Sequence, residues 1–201
     1  MTAARRRGRP GLDLATVLER SVEIFNERGF DGTSMEDLAR HLGISKSAIY
    51  HHVAGKDALL GLALDRALSG LEQAARDARA SDAPAVDRLE LLVRQSVAVL
   101  VDHLPYVTLL LRVRGNSDVE RQAQARRRKL DRLAAALVAE AVRDGDLRPD
   151  VDPAVTARLL FGMVNSVTEW YRPAADGGAG PGSDVGTAVV ELALDALRAR
   201  R

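Results

Sequence analysis

The chain has 201 residues, a net charge of +1, 3% aromatic residues and no cysteine. This length is sufficient to bury a hydrophobic core, and the lack of cysteine excludes disulfides and thiolate metal sites. No apolar run approaches the roughly 18–20 residues of a membrane helix, and no apolar segment follows the basic N-terminus as it would in a secretory signal. The abundance of Ala, Leu, Val and Arg predicts an all-helical protein, which we expect to be cytoplasmic and without a membrane partner.

The basic residues are unevenly distributed along the chain. Residues 1–56 hold nine Lys and Arg against seven Asp and Glu, whereas residues 57–201 hold 20 against 21. This distribution excludes a globally basic nucleic-acid coat. Residues 1–11 have no apolar periodicity, and two interpretations of them are open: a solvated tail, or an arm that inserts arginine into a DNA minor groove. The arginines of this arm are Arg5, Arg6, Arg7 and Arg9.

Two helices are predicted after the arm. Apolar residues at helical spacing indicate a first helix over residues 13–28, with Asp13 as N-cap and Gly29 as a left-handed stop. Thr33 followed by Glu36 is a capping box, which predicts that the second helix starts immediately after Thr33.

A tight turn and a third helix follow. Gly43 fits the turn because the turn requires a positive φ, and Ser45 is the predicted N-cap of a helix that ends near His52. The outward residues of this helix combine hydrogen-bond donors, a small apolar residue and an aromatic hydroxyl, which suits a helix lying in a DNA major groove. They are Lys46, Ser47, Ala48, Tyr50, His51 and His52. No metal site is expected at the two histidines, because adjacent residues on a helix do not face each other.

The rest of the chain is predicted to be a helical bundle, which brings the total to about nine helices. The predicted helices run from Lys56 to Arg79, from Pro84 to an interruption at Leu104-Pro105, from Tyr106 to Val113, from Ser117 (a capping box with Glu120) to Arg143, over residues 153–171 with Asp152 as the cap, and after a loop at residues 172–183. The interruption at Pro105 has two interpretations: a corner between helices, or the border of a ligand cavity.

Residues 126–129 form a basic run, Arg-Arg-Arg-Lys, inside one of these helices. Three interpretations are open: a solvated face, a cationic rim for an anionic effector such as the phosphates of a coenzyme A thioester, and a second DNA-binding surface. The acidic neighbourhood argues against the third.

The last two predicted helices are apolar on two faces each. One face is expected to pack in the chain's own core and the other against a partner subunit. The simplest closed product is an isologous two-fold homodimer with a four-helix interface. The apolar residues are Val155, Leu159, Leu160, Phe161, Met163, Val164, Val167 and Trp170 in the first of the two helices, and Val185, Val189, Val190, Leu192, Leu194, Ala196 and Leu197 in the second.

The N-terminal pattern resembles the tetracycline-repressor (TetR) family of transcriptional regulators. The matching residues are Phe25, Gly29, Phe30, Thr33, Ser34, Leu38, Ala39, Leu42, Gly43, Ile44, Ser45, Ile49, Tyr50, His52, Val53, Lys56, Asp57, Leu59 and Leu60. The family fold that the resemblance implies has a flexible basic arm (residues 1–11), a helix-turn-helix DNA-binding domain (12–71, with the motif at 34–53) and a C-terminal effector-binding and dimerisation domain (72–201).

The resemblance also implies a role for individual residues. Thr33 and Ser34 would bind a DNA phosphate at a helix N-terminus, and Lys46 and Ser47 would contact base edges. The remaining phosphate contacts would be Tyr50, His52 and Lys56. Ser47 departs from the family pattern, because many members carry glycine there, and this leaves the operator sequence open.

The implied function is a ligand-responsive repressor, released from a palindromic operator by a small hydrophobic effector. Candidate pocket residues, taken from positions near the helix break and from the following apolar helices, are Leu104, Tyr106, Leu110, Met163, Asn165 and Trp170. A weaker resemblance links residues 160–173, ending Trp-Tyr-Arg-Pro, to repressors of fatty-acid, phenylacetate and sterol side-chain degradation, whose effectors are acyl-CoA thioesters. The alternative is a helical small-molecule-binding protein without DNA function. Neither an HExxH motif nor a Gly-rich phosphate loop is present, so we expect no enzyme, metal or cofactor.

Overall fold

The computed structural model describes residues 12–172 and 182–198. Arg5, Arg6, Arg7 and Arg9 of the predicted arm, and residues 173–181 of the predicted loop, lie outside the described residues. Within the described ranges the chain forms nine α-helices and no β-strand, which confirms the predicted all-helical fold. The helices are α1 (Leu14–Arg28), α2 (Met35–Leu42), α3 (Lys46–Tyr50), α4 (Lys56–Ala80), α5 (Ala85–Asp102), α6 (Leu104–Arg112), α7 (Asp118–Asp144), α8 (Pro153–Trp170) and α9 (Gly182–Leu197). None of these helices is both long and apolar enough to cross a membrane.

The chain divides into two compact units, Met1–Leu62 and Ala63–Arg201. The division falls within α4, and the boundary after residue 71 that the family resemblance implies stays a prediction. Helix α4 is continuous across this division, so its first residues belong to the first unit and its remainder to the second.

The first unit is built around buried apolar residues of its first three helices. These residues are Val17, Ile24, Phe25, Leu38 and Ile49. Asp13 caps α1 by accepting the backbone N–H of Thr16 at 2.8 Å, and Gly29 ends α1 at a φ of 81°. The cap at Asp13 and the end of the helix at Gly29 confirm the prediction, but the ψ of 150° at Gly29 differs from the predicted left-handed helical conformation.

The second unit is organised around α5, which packs against α7, α8 and α9. Its buried residues include Leu89, Leu92, Val93, Val97 and Leu100. The buried hydroxyl of Ser96 donates to the carbonyl of Leu92 at 2.7 Å, so this polar group is satisfied inside the apolar layer.

Helix α4 approaches α5 closely at Gly70. A Cβ atom at Gly70 would lie 2.9 Å from both methyl carbons of Val99, whereas favourable carbon contacts begin near 3.5 Å. Glycine therefore permits a spacing between the two helices that alanine would disturb.

The helix break at Leu104-Pro105 is present as predicted. Helix α5 ends at Asp102, and α6 begins at Leu104 with Pro105 in its first turn. The N–H of His103 donates to the carbonyl of Val99 at 3.0 Å, which closes the last turn of α5.

The predicted capping box at the start of α7 is only half present. Ser117 accepts the N–H of Glu120 at 3.2 Å, as predicted. The Glu120 carboxylate instead accepts the N–H groups of Gly115 and Asn116, because the preceding loop folds back over it. The buried carboxylate thus holds the connection between α6 and α7.

The end of α9 is tied to the connection between α7 and α8. The N–H of Arg148 donates to the carbonyl of Leu197 at 3.0 Å, and Leu147 forms an isolated antiparallel bridge with Arg198. At the start of α8, Asp152 accepts the N–H of Val155 at 2.8 Å, which confirms the predicted cap.

Candidate nucleic-acid interface and effector cavity

The second helix begins one residue later than the predicted capping box requires. Ser34, not Thr33, is the N-cap of α2, and its partner is Asp37 rather than Glu36. The Asp37 N–H donates to the Ser34 hydroxyl at 3.2 Å, and the Asp37 carboxylate accepts the Ser34 N–H at 3.0 Å. The hydrogen bond from the Ser34 hydroxyl lowers the pKa of the Asp37 carboxyl.

Thr33 is buried in the first unit and both of its donors form hydrogen bonds there. Its side chain is buried, with 1% of its surface exposed, and its hydroxyl donates to the carbonyl of Gly29 at 2.7 Å. Its N–H donates to the carbonyl of Phe30 at 3.2 Å. This geometry does not fit the prediction that Thr33 contacts a DNA phosphate, since both of its donors are used and its hydroxyl is covered.

The turn between α2 and α3 follows the predicted pattern. Gly43 has a φ of 65°, the left-handed conformation that favours glycine. The N–H of Ile44 donates to the carbonyl of Ala39 at 3.1 Å, and Ser45 caps α3 by accepting the N–H of Ala48 at 3.2 Å. Helix α3 ends at Tyr50, so the two histidines predicted to lie within it occupy the turn that follows.

One face of α3 and its turn is exposed while the other is anchored in the core. Ile49 is fully buried, whereas the adjacent Tyr50 is 48% exposed. The other exposed residues of this face are Lys46, Ser47, His51 and His52, with Ala48 half-buried among them. We call this set, together with Tyr50, the α3 face.

Lys46 is held within the first unit by an ion pair. Its ammonium group donates to the carboxylate of Glu36 on α2, and both side chains are largely exposed. This hydrogen bond lowers the pKa of Glu36 and raises that of Lys46. The positive charge of Lys46 is therefore partly compensated on the α3 face, and an incoming phosphate or base would compete with Glu36 for it.

Lys56 and His52 each contact backbone within the first unit. The Lys56 Nζ donates to the carbonyl of Phe30 at 2.8 Å and lies 4.2 Å from the centroid of the Phe30 ring. The His52 Nε2 is 2.9 Å from the carbonyl oxygen of Leu12. The predicted phosphate contacts at these two residues are not tested by this geometry, but both side chains already help to hold the helices in place.

A cavity lies in the second unit among α4, α5, α6, α7 and α8. It is lined by Leu71, Ser96, Leu100, Val107, Leu110, Leu111, Arg127, Leu130, Asp131, Phe161, Val164 and Asn165. Its volume is about 30 Å³, which is room for roughly one or two water molecules. Ligand sites generally reach about 300–1,000 Å³, so this conformation is too narrow for an effector.

The six residues predicted to bind an effector are divided among three places. Leu110 and Asn165 line the cavity. Met163 and Trp170 lie beside α9 in a groove on the other side of α8. Leu104 and Tyr106 line neither; Tyr106 packs beside His103, and the guanidinium carbon of Arg66 is 5.4 Å from its ring centroid. The structure therefore brings together only Leu110 and Asn165 of the six at this cavity, and effector contacts at all six stay predictions.

Sequence reasoning missed Arg127 as a cavity residue. The four residues of the basic run have different surroundings in the structure. Arg126 pairs with Asp65 and Glu72, and Arg127 lines the cavity. Arg128 and Lys129 are exposed. The signal was available, because residue 127 lies three residues before buried Leu130 on the same helix.

The outer face of α8 and α9 is apolar and exposed. Its most exposed members are Leu192 (71%), Leu159 (64%), Trp170 (57%) and Val155 (51%). The inner residues of the same helices, such as Val164 and Leu194, are buried. Each helix therefore has one buried and one exposed apolar face, which is the pattern expected of a helix whose second face packs against a partner subunit.

In the part of the chain that the structure describes, no three His, Cys, Asp or Glu residues are grouped as a metal site would require.

Comparison with known proteins matches both units. The family model of the bacterial regulatory proteins of the tetR family matches residues 17–63, and that of the tetracyclin repressor-like C-terminal domain matches residues 82–197. The HTH-type transcriptional repressor KstR2 of Mycobacterium tuberculosis is 27% identical over 189 residues, covering 90% of each chain.

Solved structures show the same architecture over the whole chain. SCO3833 from Streptomyces coelicolor A3, a member of the TetR transcriptional regulator family, is 46% identical, with a TM-score of 0.85 over 99% of this chain and 96% of that chain. AibR in complex with isovaleryl coenzyme A and operator DNA shares the fold at 24% identity, with a TM-score of 0.72 over 89% of this chain and 96% of that chain. The exposed α3 face, the helical bundle and these matches lead to one conclusion: the chain belongs to the TetR family of ligand-responsive transcriptional repressors.

Proposed function

We propose that the α3 face contacts the operator DNA of this repressor. The observation that carries the proposal is the contrast between buried Ile49 and the exposed polar residues on either side of it. A recognition helix needs one side packed in the core and the opposite side exposed to contact DNA. Lys46 and Ser47 are the proposed base contacts, because they occupy the first turn of α3. Ser34, Tyr50 and His51 are the proposed phosphate contacts.

His52 and Lys56 act in this proposal first as positioning residues. Their contacts with Leu12 and Phe30 fix the start of α1 and the connection between α1 and α2. A phosphate contact at either residue would add to this role. Thr33 is left out of the interface, while Arg5, Arg6, Arg7 and Arg9 remain proposed minor-groove contacts.

The operator is proposed to be palindromic and to bind a homodimer. The support is the exposed apolar face of α8 and α9, which a second copy of the chain would cover in a four-helix interface. Two recognition helices about 34–36 Å apart would then meet successive turns of DNA.

The effector is proposed to bind in the second unit by widening the cavity among α4 to α8. Leu71 of α4 lines this cavity, and α4 is one helix that starts at Lys56, so a widening that displaces α4 would also act on its first residues. Changing a 1:99 population of the non-binding conformer to 99:1 takes roughly 5.5 kcal/mol of differential effector affinity. The proposed ligand class is an acyl-CoA thioester, supported by the resemblance of residues 160–173 and by the apolar lining.

A mobility-shift assay tests the DNA part of this proposal. The purified protein is titrated against the DNA upstream of its own gene at several salt concentrations, with Lys46→Ala/Tyr50→Ala as the variant and Lys129→Ala as the control, which removes one exposed charge from α7. Wild type and control should bind one fragment selectively and lose affinity as salt rises. The double variant should bind at least tenfold more weakly, since a base contact contributes about 1–3 kcal/mol.

Two results would contradict the interface. One is equal binding of the double variant and the wild type. The other is weaker binding of Lys129→Ala than of the double variant, which would move the DNA-binding surface to the basic run of α7.

A further inference from the structure

One cation of the α7 basic run differs from its neighbours in its surroundings. Arg126 makes two hydrogen bonds to Glu72, at 2.7 and 3.0 Å, and a third to Asp65. Arg128 and Lys129 are exposed to solvent. Arg127 alone among the four lines the cavity of the second unit.

Helical periodicity explains why Arg127 lies there. It is four residues after Ala123 and three before Leu130, and both of these residues are buried. This side of α7 packs against α5 and α8. An arginine at this register therefore lies among side chains that are otherwise mostly apolar.

The charge of Arg127 has no contact partner among the described residues. Neither a hydrogen bond nor an ion pair joins it to another described side chain. Burial lowers the pKa of Arg127, while the charge of Asp131 one turn away acts in the opposite direction. Arginine nevertheless stays protonated in proteins, so a half-buried positive charge lies in the lining of this cavity and can pair with an anion.

The rest of the lining has the composition of a site for an amphipathic molecule. Its apolar residues come from α4 to α8, and its other polar side chains are Ser96, Asp131 and Asn165. The Ser96 hydroxyl already donates to the Leu92 carbonyl. A guanidinium matches the geometry of a carboxylate or phosphate better than that of any neutral group.

We propose that, in the widened form of this cavity, Arg127 binds the anionic group of an amphipathic effector whose apolar chain lies along the leucine, valine and phenylalanine side chains of the lining. This assignment rests on the effector function proposed above. The shared chemistry is an oxyanion attached to an apolar chain, and it has two sources: the carboxylate of a free acid or a phosphate of a coenzyme A thioester.

Calorimetric titration of the full-length protein with decanoate, decanoyl-CoA and decanol tests the assignment. The three probes carry the same chain, and decanol lacks the charge. The wild type should bind at least one anion roughly 10- to 100-fold more tightly than decanol, as expected for a charge-assisted hydrogen bond. The anion that shows this preference identifies the source of the charge.

Two variants of neighbouring residues separate the role of Arg127 from that of the basic run. Arg127→Gln should bind decanol as the wild type does but lose the preference for the anion, to within about threefold. Arg128→Gln, which removes an exposed charge from the same helix, should keep the preference. Arg127→Lys retains the charge and should recover part of it.

A purely structural role for Arg127 gives a different pattern. If its partner in solution is Asp131, Arg127→Gln lowers the melting temperature and leaves the preference for the anion unchanged, and the assignment is wrong. It is also wrong if the wild type binds decanol as tightly as the anions, or binds none of the three probes. The selective DNA shift is measured independently, so these failures are distinguishable from a failure of the DNA-binding function.

Discussion

The two units of the protein differ in how their functional residues are positioned. In the first unit, the α3 face is placed by residues close to it in sequence: Ser34 caps α2, Gly43 turns the chain, and Ser45 caps α3. In the second unit, the cavity combines residues as far apart as Leu71 and Asn165. The first arrangement can be recognised from a short stretch of sequence, whereas the second exists only after the helices have packed.

Adjacent residues of α3 also differ in their energetic roles. Ile49 and Tyr50 are neighbours, but the first is fully buried and the second is 48% exposed. Ile49→Ala should lower the free energy of unfolding of the first unit by about 2–5 kcal/mol, the range for a large-to-small core substitution. Tyr50→Ala should leave stability nearly unchanged. Chemical denaturation followed by circular dichroism measures both.

Operator binding of Ile49→Ala and Tyr50→Ala should be measured alongside their stability. Both variants should lose operator affinity, Ile49→Ala because its recognition helix is displaced and Tyr50→Ala because a contact is lost. A destabilised Tyr50→Ala protein would show that Tyr50 belongs to the core and would contradict the assignment of the exposed face.

The contact between Gly70 and Val99 offers an intermediate effect in the second unit. Gly70→Ala gains about 1 kcal/mol of helix propensity but places a methyl group against the branched side chain of Val99, an overpacking that costs about 1–3 kcal/mol. We expect a net destabilisation of about 1 kcal/mol. Thermal and urea unfolding of the single variant provide the measurement.

Val99→Ala is the matched control for this contact. In that background the crowding is relieved, and Gly70→Ala should become stabilising because only the gain in helix propensity remains. The same sign in both backgrounds would mean that α4 and α5 do not meet at these residues.

An effect of similar size is expected at the α2 cap. Ser34→Ala removes a side-chain cap and should cost about 1 kcal/mol of stability at neutral pH. The hydrogen bond from the Ser34 hydroxyl is the main cause that holds the pKa of Asp37 below its ordinary value of 3.8. A carboxyl with a depressed folded-state pKa stabilises the protein above its unfolded pKa, and this contribution disappears as the pH falls through the folded pKa.

Asp37→Asn provides the pH test of the cap. The stability difference between wild type and Asp37→Asn should be constant between about pH 7 and about pH 5 and shrink below about pH 4. A difference that grows on acidification would contradict the depressed pKa.

Much of the fold followed from local signals in the sequence. The caps at Asp13, Ser45 and Asp152, the left-handed Gly43 and the break at Pro105 each depend on neighbouring residues, and the structure confirms them. The errors at Thr33 and Glu120 are also instructive. In both, a side chain expected to cap the next helix bonds to backbone that precedes it, and the path of a loop is not encoded in residue spacing.

The residues that line the cavity are harder to predict from the sequence for a related reason. Helix α8 is apolar on both sides, so periodicity does not decide which side meets the cavity. Asn165 lies on the cavity side, and Met163 and Trp170 lie in the groove beside α9. Arg127 was hidden because a run of four cations was treated as a single patch, although a helix turns successive residues to different sides.

The narrowness of the cavity links the dose response of the repressor to its basal transcription. In the proposed mechanism only the widened conformer accepts effector, so the apparent Kd exceeds the intrinsic Kd by the inverse of the fraction of molecules already wide. That same fraction cannot hold the operator. In this mechanism, a rarely populated wide conformer gives low basal transcription and a high effector concentration for induction. Replacing a lining residue such as Phe161 with a smaller one would favour the wide conformer. The same equilibrium would then lower the effector concentration needed for induction and raise basal transcription.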